Sequence, residues 1–217
     1  MNKTAIILGA TGLTGSHLLQ LLLSDERYSK VISFNRNKLG IQHEKLEEHI
    51  VNLLELEKQE NLFHADVIFC CIGTTRAKTP DKKRYRAIDY GIPMQAARLA
   101  LKNHIPQLLI ISSLGAHKNS KVFYSQLKGQ MQEDIFQLGL PKVYFFQPSL
   151  IVGKRKERRK GENGAKVIMQ LFDFLIPLKY KSVSASNLAK AMLLVARNGW
   201  NSAVVNSEDI QKIGREL

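Results

Sequence analysis

The chain has 217 residues, 44% hydrophobic and 24% charged, enough for one well-cored domain and too few for two full-sized ones. Of its net charge of +13, +5 lies in Lys154 to Lys160, six bases against one acid, which reads as a solvated loop, with nucleic acid or a membrane surface as the alternative partner. Adjacent Cys70 and Cys71 exclude a disulfide framework, the scattered histidines lack metal-ligand spacing, and no signal-peptide pattern or membrane-length apolar run is present, so a cytoplasmic protein without a metal site is expected.

Thr4 to Leu8 reads as an apolar strand, and it runs into Gly9, Ala10, Thr11, Gly12, Leu13, Thr14 and Gly15 before an apolar helical run from Leu18 to Leu23. A strand, three glycines spaced three apart and a helix form the arrangement that receives a dinucleotide. Gly9 allows the tight turn, Gly12 lets the backbone approach the pyrophosphate, and Gly15 lets the helix pack close to the strand. The phosphates would lie at the helix N-terminus, where free N–H groups and the helix dipole favour negative charge. A turn without a ligand is the plainer alternative.

Lys30 to Asn35 reads as a second strand. Its end is where an acid would bind the ribose hydroxyls of NAD, and where an arginine would accept the 2′-phosphate of NADP. Here stand Asn35 and Arg36, so NADP(H) is preferred over NAD(H). A short third strand is expected at His49 to Asn52, with Asn52 facing the adenine. Asp66 to Ile72 has the continuous apolar character of a central parallel strand and ends in Gly73-Thr74-Thr75, which makes Gly73 and Thr74 contact candidates.

Asp81 to His104 reads as a long helix that Pro93 should bend or break near Ile92. Leu108 to Ser113 is the next buried strand, closing with two hydroxyls at its carboxyl end. A helix from Ser120 to Leu138 follows, in which Tyr124 and Lys128, four apart, share one face. Lys142 to Gln147 is another strand, and Leu150 to Gly153 is expected to continue the edge of the sheet. Beyond the basic run, Ala165 to Phe174 and Ser186 to Arg197 read as amphipathic helices separated by a short Lys181 to Ser184 extension. The alternation predicts a doubly wound parallel sheet of Rossmann type, one domain over 1–217, with 154–217 a reduced helical substrate or cap region.

These residues resemble the short-chain dehydrogenase/reductase superfamily, in its small atypical branch with NAD(P)-binding domains like the Tat-interacting-protein oxidoreductases. The resemblance rests on residues 9–15, on Cys-Cys-Ile-Gly-Thr-Thr-Arg at 70–76, on Ser112-Ser113-Leu114-Gly115-Ala116, and on Tyr124 through Lys128. It implies that Gly9, Gly12 and Gly15 hold the pyrophosphate and Arg36 the 2′-phosphate. It also implies that Ser113, Tyr124 and Lys128 are the catalytic hydroxyl, the acid/base and the lysine, the last two touching the cofactor as well. Ser113 and Tyr124 are only 11 residues apart, which leaves Ser112 as an alternative, and the short region after Gly153 disfavours a large activated sugar.

A free tyrosine titrates near about 10, and a lysine ammonium beside it would favour the phenolate. Tyr124 could then exchange a proton with a carbonyl or alcohol oxygen during hydride transfer. Three functions stay open: an NADP(H)-dependent oxidoreductase acting on a small carbonyl or alcohol, a non-catalytic NADPH-binding sensor, and an adaptor that uses Lys154 to Lys160. The substrate and the oligomeric state are not legible.

Overall fold

The computed structural model describes residues 2–153 and 177–216. The chain alternates strand and helix: β1 (Lys3–Leu8), α1 (Leu13–Ser24), β2 (Tyr28–Asn35), β3 (Leu46–Ile50), β4 (Val67–Cys70), α2 (Lys82–Arg86), α3 (Ile92–Lys102), β5 (Gln107–Ile111), α4 (Phe123–Gln137) and β6 (Lys142–Gln147). After them come two short strands, β7 (Ile151–Val152) and β8 (Val183–Ser184), then α5 (Ala185–Asn198), β9 (Val204–Asn206) and α6 (Ser207–Ile213). A 3-10 segment, Leu53–Leu62, links β3 to β4.

Seven strands form one parallel sheet in the order β3-β2-β1-β4-β5-β6-β9. Such a sheet is covered on both faces, which is why its strands are near-continuous apolar runs. Alternate residues serve alternate faces: Ile7, Phe69, Leu109 and Phe146 meet Leu18, Leu22, Leu188 and Met192 of α1 and α5. On the other side Leu8, Ile68, Ile110 and Phe145 meet Ala96, Ala97, Met131 and Ile135 of α3 and α4. The chain leaves β1 towards β2 and β3, then returns to β4 on β1's other side, so a crevice opens between the carboxyl ends of β1 and β4. Ligands enter sheets of this kind at such a switch point.

The doubly wound sheet is as the sequence predicts, with several corrections. The third strand begins earlier than His49, at Leu46, and Asn52 lies beyond its end. Ile151 and Val152 do not continue the main sheet; they pair with Val183 and Ser184 in a separate two-stranded ribbon, and the sheet edge is β9. The long helix expected from Asp81 is interrupted by a π-turn, Ala87–Gly91, with Pro93 in the first turn of α3, where its missing N–H is harmless. The residues expected as a cap contribute β9 to the main sheet and α5 to the layer over α1. The basic run Lys154 to Lys160 and the helix expected at Ala165 to Phe174 lie outside the described residues.

Candidate functional site

Gly9 follows β1 with φ +86°, a backbone conformation that side chains rarely adopt. Its carbonyl accepts from the Gly12 N–H at 2.9 Å, closing the turn. A Cβ on Gly15 would stand 2.1 Å from the Gly9 oxygen, so this glycine is what lets α1 seat against the turn. A Cβ on Gly12 would stand 3.1 Å from the same oxygen, tight but near tolerance, and Gly12 has an ordinary extended backbone. Gly12 caps α1 with no side-chain bond, and the first turn of α1 holds no acid. The amides of Leu13, Thr14 and Gly15 therefore end the helix as open donors in a positive field, fitting a pyrophosphate.

The two glycine positions should separate by experiment. Gly12→Val is expected to leave a folded protein that no longer binds the dinucleotide, because the branched side chain fills the space above the turn. Gly15→Val is expected to disrupt the turn itself and lower thermal stability, overpacking of this kind costing about 1–3 kcal/mol. Circular dichroism melts and NADPH titration of both variants check this; normal NADPH binding by Gly12→Val would reduce the motif to a structural turn.

Arg36 is exposed just past β2. Asn35 is buried and donates to Ser33 Oγ at 2.8 Å and Glu48 Oε1 at 3.2 Å. The same Glu48 oxygen accepts from the Leu39 N–H at 2.7 Å. The end of β2 is thus not free of carboxylates: the pairing of Ser33 with Glu48 brings one from β3, where it ties down the turn that bears Arg36. Sequence reasoning missed Glu48 because it began that strand at His49, three residues after its start at Leu46. Asn52 is occupied as the cap of the 3-10 segment, its side-chain Oδ1 accepting from the Leu54 N–H at 3.2 Å.

At the end of β4, Gly73 is exposed and the Thr74 N–H donates to Asp89 Oδ2 at 2.8 Å. Thr74 and Thr79 share a hydroxyl bond of 2.9 Å, and the Tyr85 hydroxyl donates to the Thr74 carbonyl at 3.2 Å. Cys70 is fully buried, which pushes its thiol up to about 11, and burial raises Cys71 as well. Both stay protonated and unreactive at neutral pH.

Ser112 and Ser113 lie just past β5 and differ in environment. Gln132 of α4 donates to the Ser112 hydroxyl, and Gln147 of β6 donates to Gln132 at 3.1 Å. The buried Ser113 hydroxyl has no partner among the described residues. The loop that follows is held against α4 by Gly129, where a Cβ would come within 2.2 Å of the His117 backbone. Tyr124 opens the first turns of α4, 36% exposed, with its ring 6.2 Å from that of Tyr85 in an edge-on contact.

Lys128, one turn on, is not at the surface with Tyr124: it is 2% exposed. Its ammonium sits 3.1 Å from Asp89 Oδ1 and donates to the Ile111 carbonyl at 3.4 Å. Burial works to strip the proton from Lys128, but the Asp89 carboxylate outweighs it and holds the lysine above its ordinary value. Asp89 was not foreseen, since a lone acid inside a basic helix carries no signal of its own. Among the described residues no three His, Cys, Asp or Glu side chains could together hold a metal ion.

A Gly-turn at the switch point of a seven-stranded parallel sheet, with a serine-ended strand and a Tyr/Lys helix beside it, defines a nucleotide-binding Rossmann domain of the short-chain dehydrogenase/reductase type. Residues 9–138 match the NAD(P)H-binding family, and the chain belongs to it. Protein HTATIP2 of Rattus norvegicus is 33% identical over 165 residues, 74% of this chain and 68% of that protein. The mitochondrial protein FMP52-1 of Scheffersomyces stipitis is 32% identical over 73% of this chain and 71% of its own. The mitochondrial FMP52 of Candida albicans is 27% identical over 99% of both. UDP-glucose 4-epimerase of Thermotoga maritima, solved with UDP-glucose, shares the fold at TM-score 0.70 and 17% identity, over 98% of this chain and 82% of that one. The Bordetella bronchiseptica enzyme WbmH, solved with NAD+, does so at TM-score 0.68 and 17% identity, over 91% and 73%.

These relatives overturn the cytoplasmic expectation, because the yeast FMP52 proteins are named as mitochondrial. The expectation rested on charge and apolar-run patterns near the chain's start, and a Rossmann core carries no address, folding alike in either compartment.

Proposed function

We propose that this protein is an NADP(H)-dependent oxidoreductase acting on a small carbonyl or alcohol. The observation that carries the reading is the Ser113 hydroxyl, buried and without a partner among the described residues at the carboxyl edge of the sheet, while its neighbour Ser112 is already bonded. Buried polar groups are rarely left without a partner, so this one points to a ligand oxygen. The Gly9 to Gly15 turn and the N-terminus of α1 would hold the pyrophosphate, and Arg36 the 2′-phosphate. Gly73, Thr74 and Asn52 remain contact candidates, although the Thr74 N–H and the Asn52 side-chain Oδ1 already have partners.

The nicotinamide supplies or accepts the hydride when bound. Ser113 would fix the substrate oxygen, and Tyr124 would give a proton to that oxygen in reduction and take it back in oxidation. Lys128 would contribute a positive charge beneath the phenol. The buried Asp89–Lys128 pair also favours a second reading, a protein that binds NADPH without turning it over, because the ammonium is committed inside the fold. Substrate-dependent NADPH oxidation separates the two.

Cofactor choice is tested at Arg36. A charge-assisted hydrogen bond is worth about 1.5–3 kcal/mol, so Arg36→Ala is expected to weaken NADPH roughly ten- to a hundredfold and leave NADH nearly unchanged. Calorimetric titration with both cofactors measures it; equal wild-type affinities, or an unaltered NADPH affinity in the variant, would remove the preference.

A further inference from the structure

We propose that Asp89 is a positioning residue: its carboxylate holds the Lys128 ammonium beneath the site and ties it to the Thr74 loop, so that the positive charge offered to the cofactor depends on Asp89. The proposal rests on the reading above, in which Lys128 meets the cofactor. One carboxylate performs both tasks. Oδ2 accepts the Thr74 N–H at 2.8 Å, and Oδ1 stands 3.1 Å from the Lys128 nitrogen. Both partners are all but sealed, Asp89 at 1% and Lys128 at 2% exposure.

The π-turn explains how an acid reaches this place. Between α2 and α3 the Ile92 N–H reaches back five residues to the Ala87 carbonyl, and Asp89 lies within that widened turn. Turns of this kind are uncommon and concentrate at functional sites. Above the carboxylate sits Gly73, where a Cβ would come to 3.5 Å of Asp89 Oδ1. The loop expected to pass the cofactor therefore rests on the same carboxylate as the lysine.

A buried ammonium without a counter-charge gives up its proton. The titratable groups that influence Lys128 are Tyr124 on its own helix, Cys70 on β4 and Asp89, while Tyr85 on α2 is influenced by Asp89 in turn. Cys70 is a neutral thiol at physiological pH, its value raised by burial. Asp89 is thus the carboxylate that keeps Lys128 charged. Asp89→Asn preserves the size of the side chain and one acceptor oxygen for the Thr74 N–H, removes the charge, and sets an amide NH2 where Oδ1 faced the Lys128 ammonium.

The test is NADPH affinity of the full chain between about pH 6 and pH 9, by fluorescence titration, for wild type, Asp89→Asn and Lys128→Met. Lys128→Met is expected to bind about tenfold more weakly throughout, an effect typical of a lost hydrogen bond to a charged group. Wild type should hold its affinity across the range. Asp89→Asn should match wild type within about threefold at the acid end and fall towards the Lys128→Met value at the alkaline end, as the orphaned lysine deprotonates. Asp89→Glu, which restores the charge, should recover the flat profile. If Asp89→Asn follows wild type at every pH while Lys128→Met binds weakly, the role of Asp89 is overturned and the cofactor role of Lys128 stands. If Lys128→Met binds as wild type does, both fall. Should Asp89→Asn not fold, 13C NMR of labelled lysine in wild type, assigned with Lys128→Met, decides: a Lys128 signal that titrates below the ordinary lysine value of about 10.4 overturns the proposal, and one that stays charged beyond it supports it.

Discussion

Replacing Tyr124 by Phe is expected to slow NADPH-dependent reduction about 10²–10⁴-fold, the usual contribution of a general acid or base, with little change in NADPH affinity. The substitution removes the hydroxyl and keeps the ring, so the edge-on contact with Tyr85 and the packing at the head of α4 survive. Tyr124 is 36% exposed, and among the described residues its hydroxyl makes no hydrogen bond that the substitution would break. The measurement is NADPH oxidation against a panel of small aldehydes, ketones and quinones, with cofactor affinity followed in parallel. Undiminished turnover in Tyr124→Phe would eliminate the proton-transfer role. Tight NADPH binding by wild type with no turnover of any panel member would instead establish the sensor.

Lys128→Met is expected to give the largest loss of stability among these variants. It leaves the Asp89 carboxylate 1% exposed and without its counter-charge, and breaking a buried pair in this way costs about 3–5 kcal/mol. For a chain of this size that lowers Tm by roughly 6–20 °C. The pH dependence has a definite sign. The folded-state value of Lys128 is raised, so its stabilisation is complete below the unfolded lysine value of about 10.4 and is lost only as the pH climbs through the folded value above it. Scanning calorimetry should therefore show a gap between wild type and variant that closes as the pH climbs into strong alkali. Adding Asp89→Leu to Lys128→Met should restore part of the stability, since no unpaired charge remains, although the Thr74 N–H then loses its acceptor. An unchanged Tm in Lys128→Met would mean that the pair contributes nothing to the fold.

Much of this protein was legible residue by residue. The apolar runs at Thr4–Leu8 and Lys142–Gln147 and the three glycines from Gly9 to Gly15 are local signals: strand period, turn conformation and close approach are properties of neighbouring residues. They were enough for the parallel sheet, the dinucleotide turn and the serine-ended strand before the Tyr124 helix. What they could not supply was anything set by residues distant in the chain. Whether Ile151 and Val152 extend the sheet or leave it depends on Val183 and Ser184, about thirty residues on, and β9 was too short, at Val204–Asn206, to announce itself as the sheet's edge.

The same division runs through the site. Spacing alone put Tyr124 and Lys128 on one face of α4, and the chain's membership of an NAD(P)H-binding family agrees with the dinucleotide site read from Thr4 to Leu23. Only tertiary packing decided that Lys128 turns inwards to Asp89, that Ser112 is taken by Gln132 while the buried Ser113 hydroxyl has no partner among the described residues, and that Glu48 reaches the end of β2. Helical periodicity tells which residues share a face, but not how deep that face is buried. Depth is set by what lies opposite, and for Lys128 that is a carboxylate in a π-turn that accepts a hydrogen bond from the Thr74 N–H of the loop after β4.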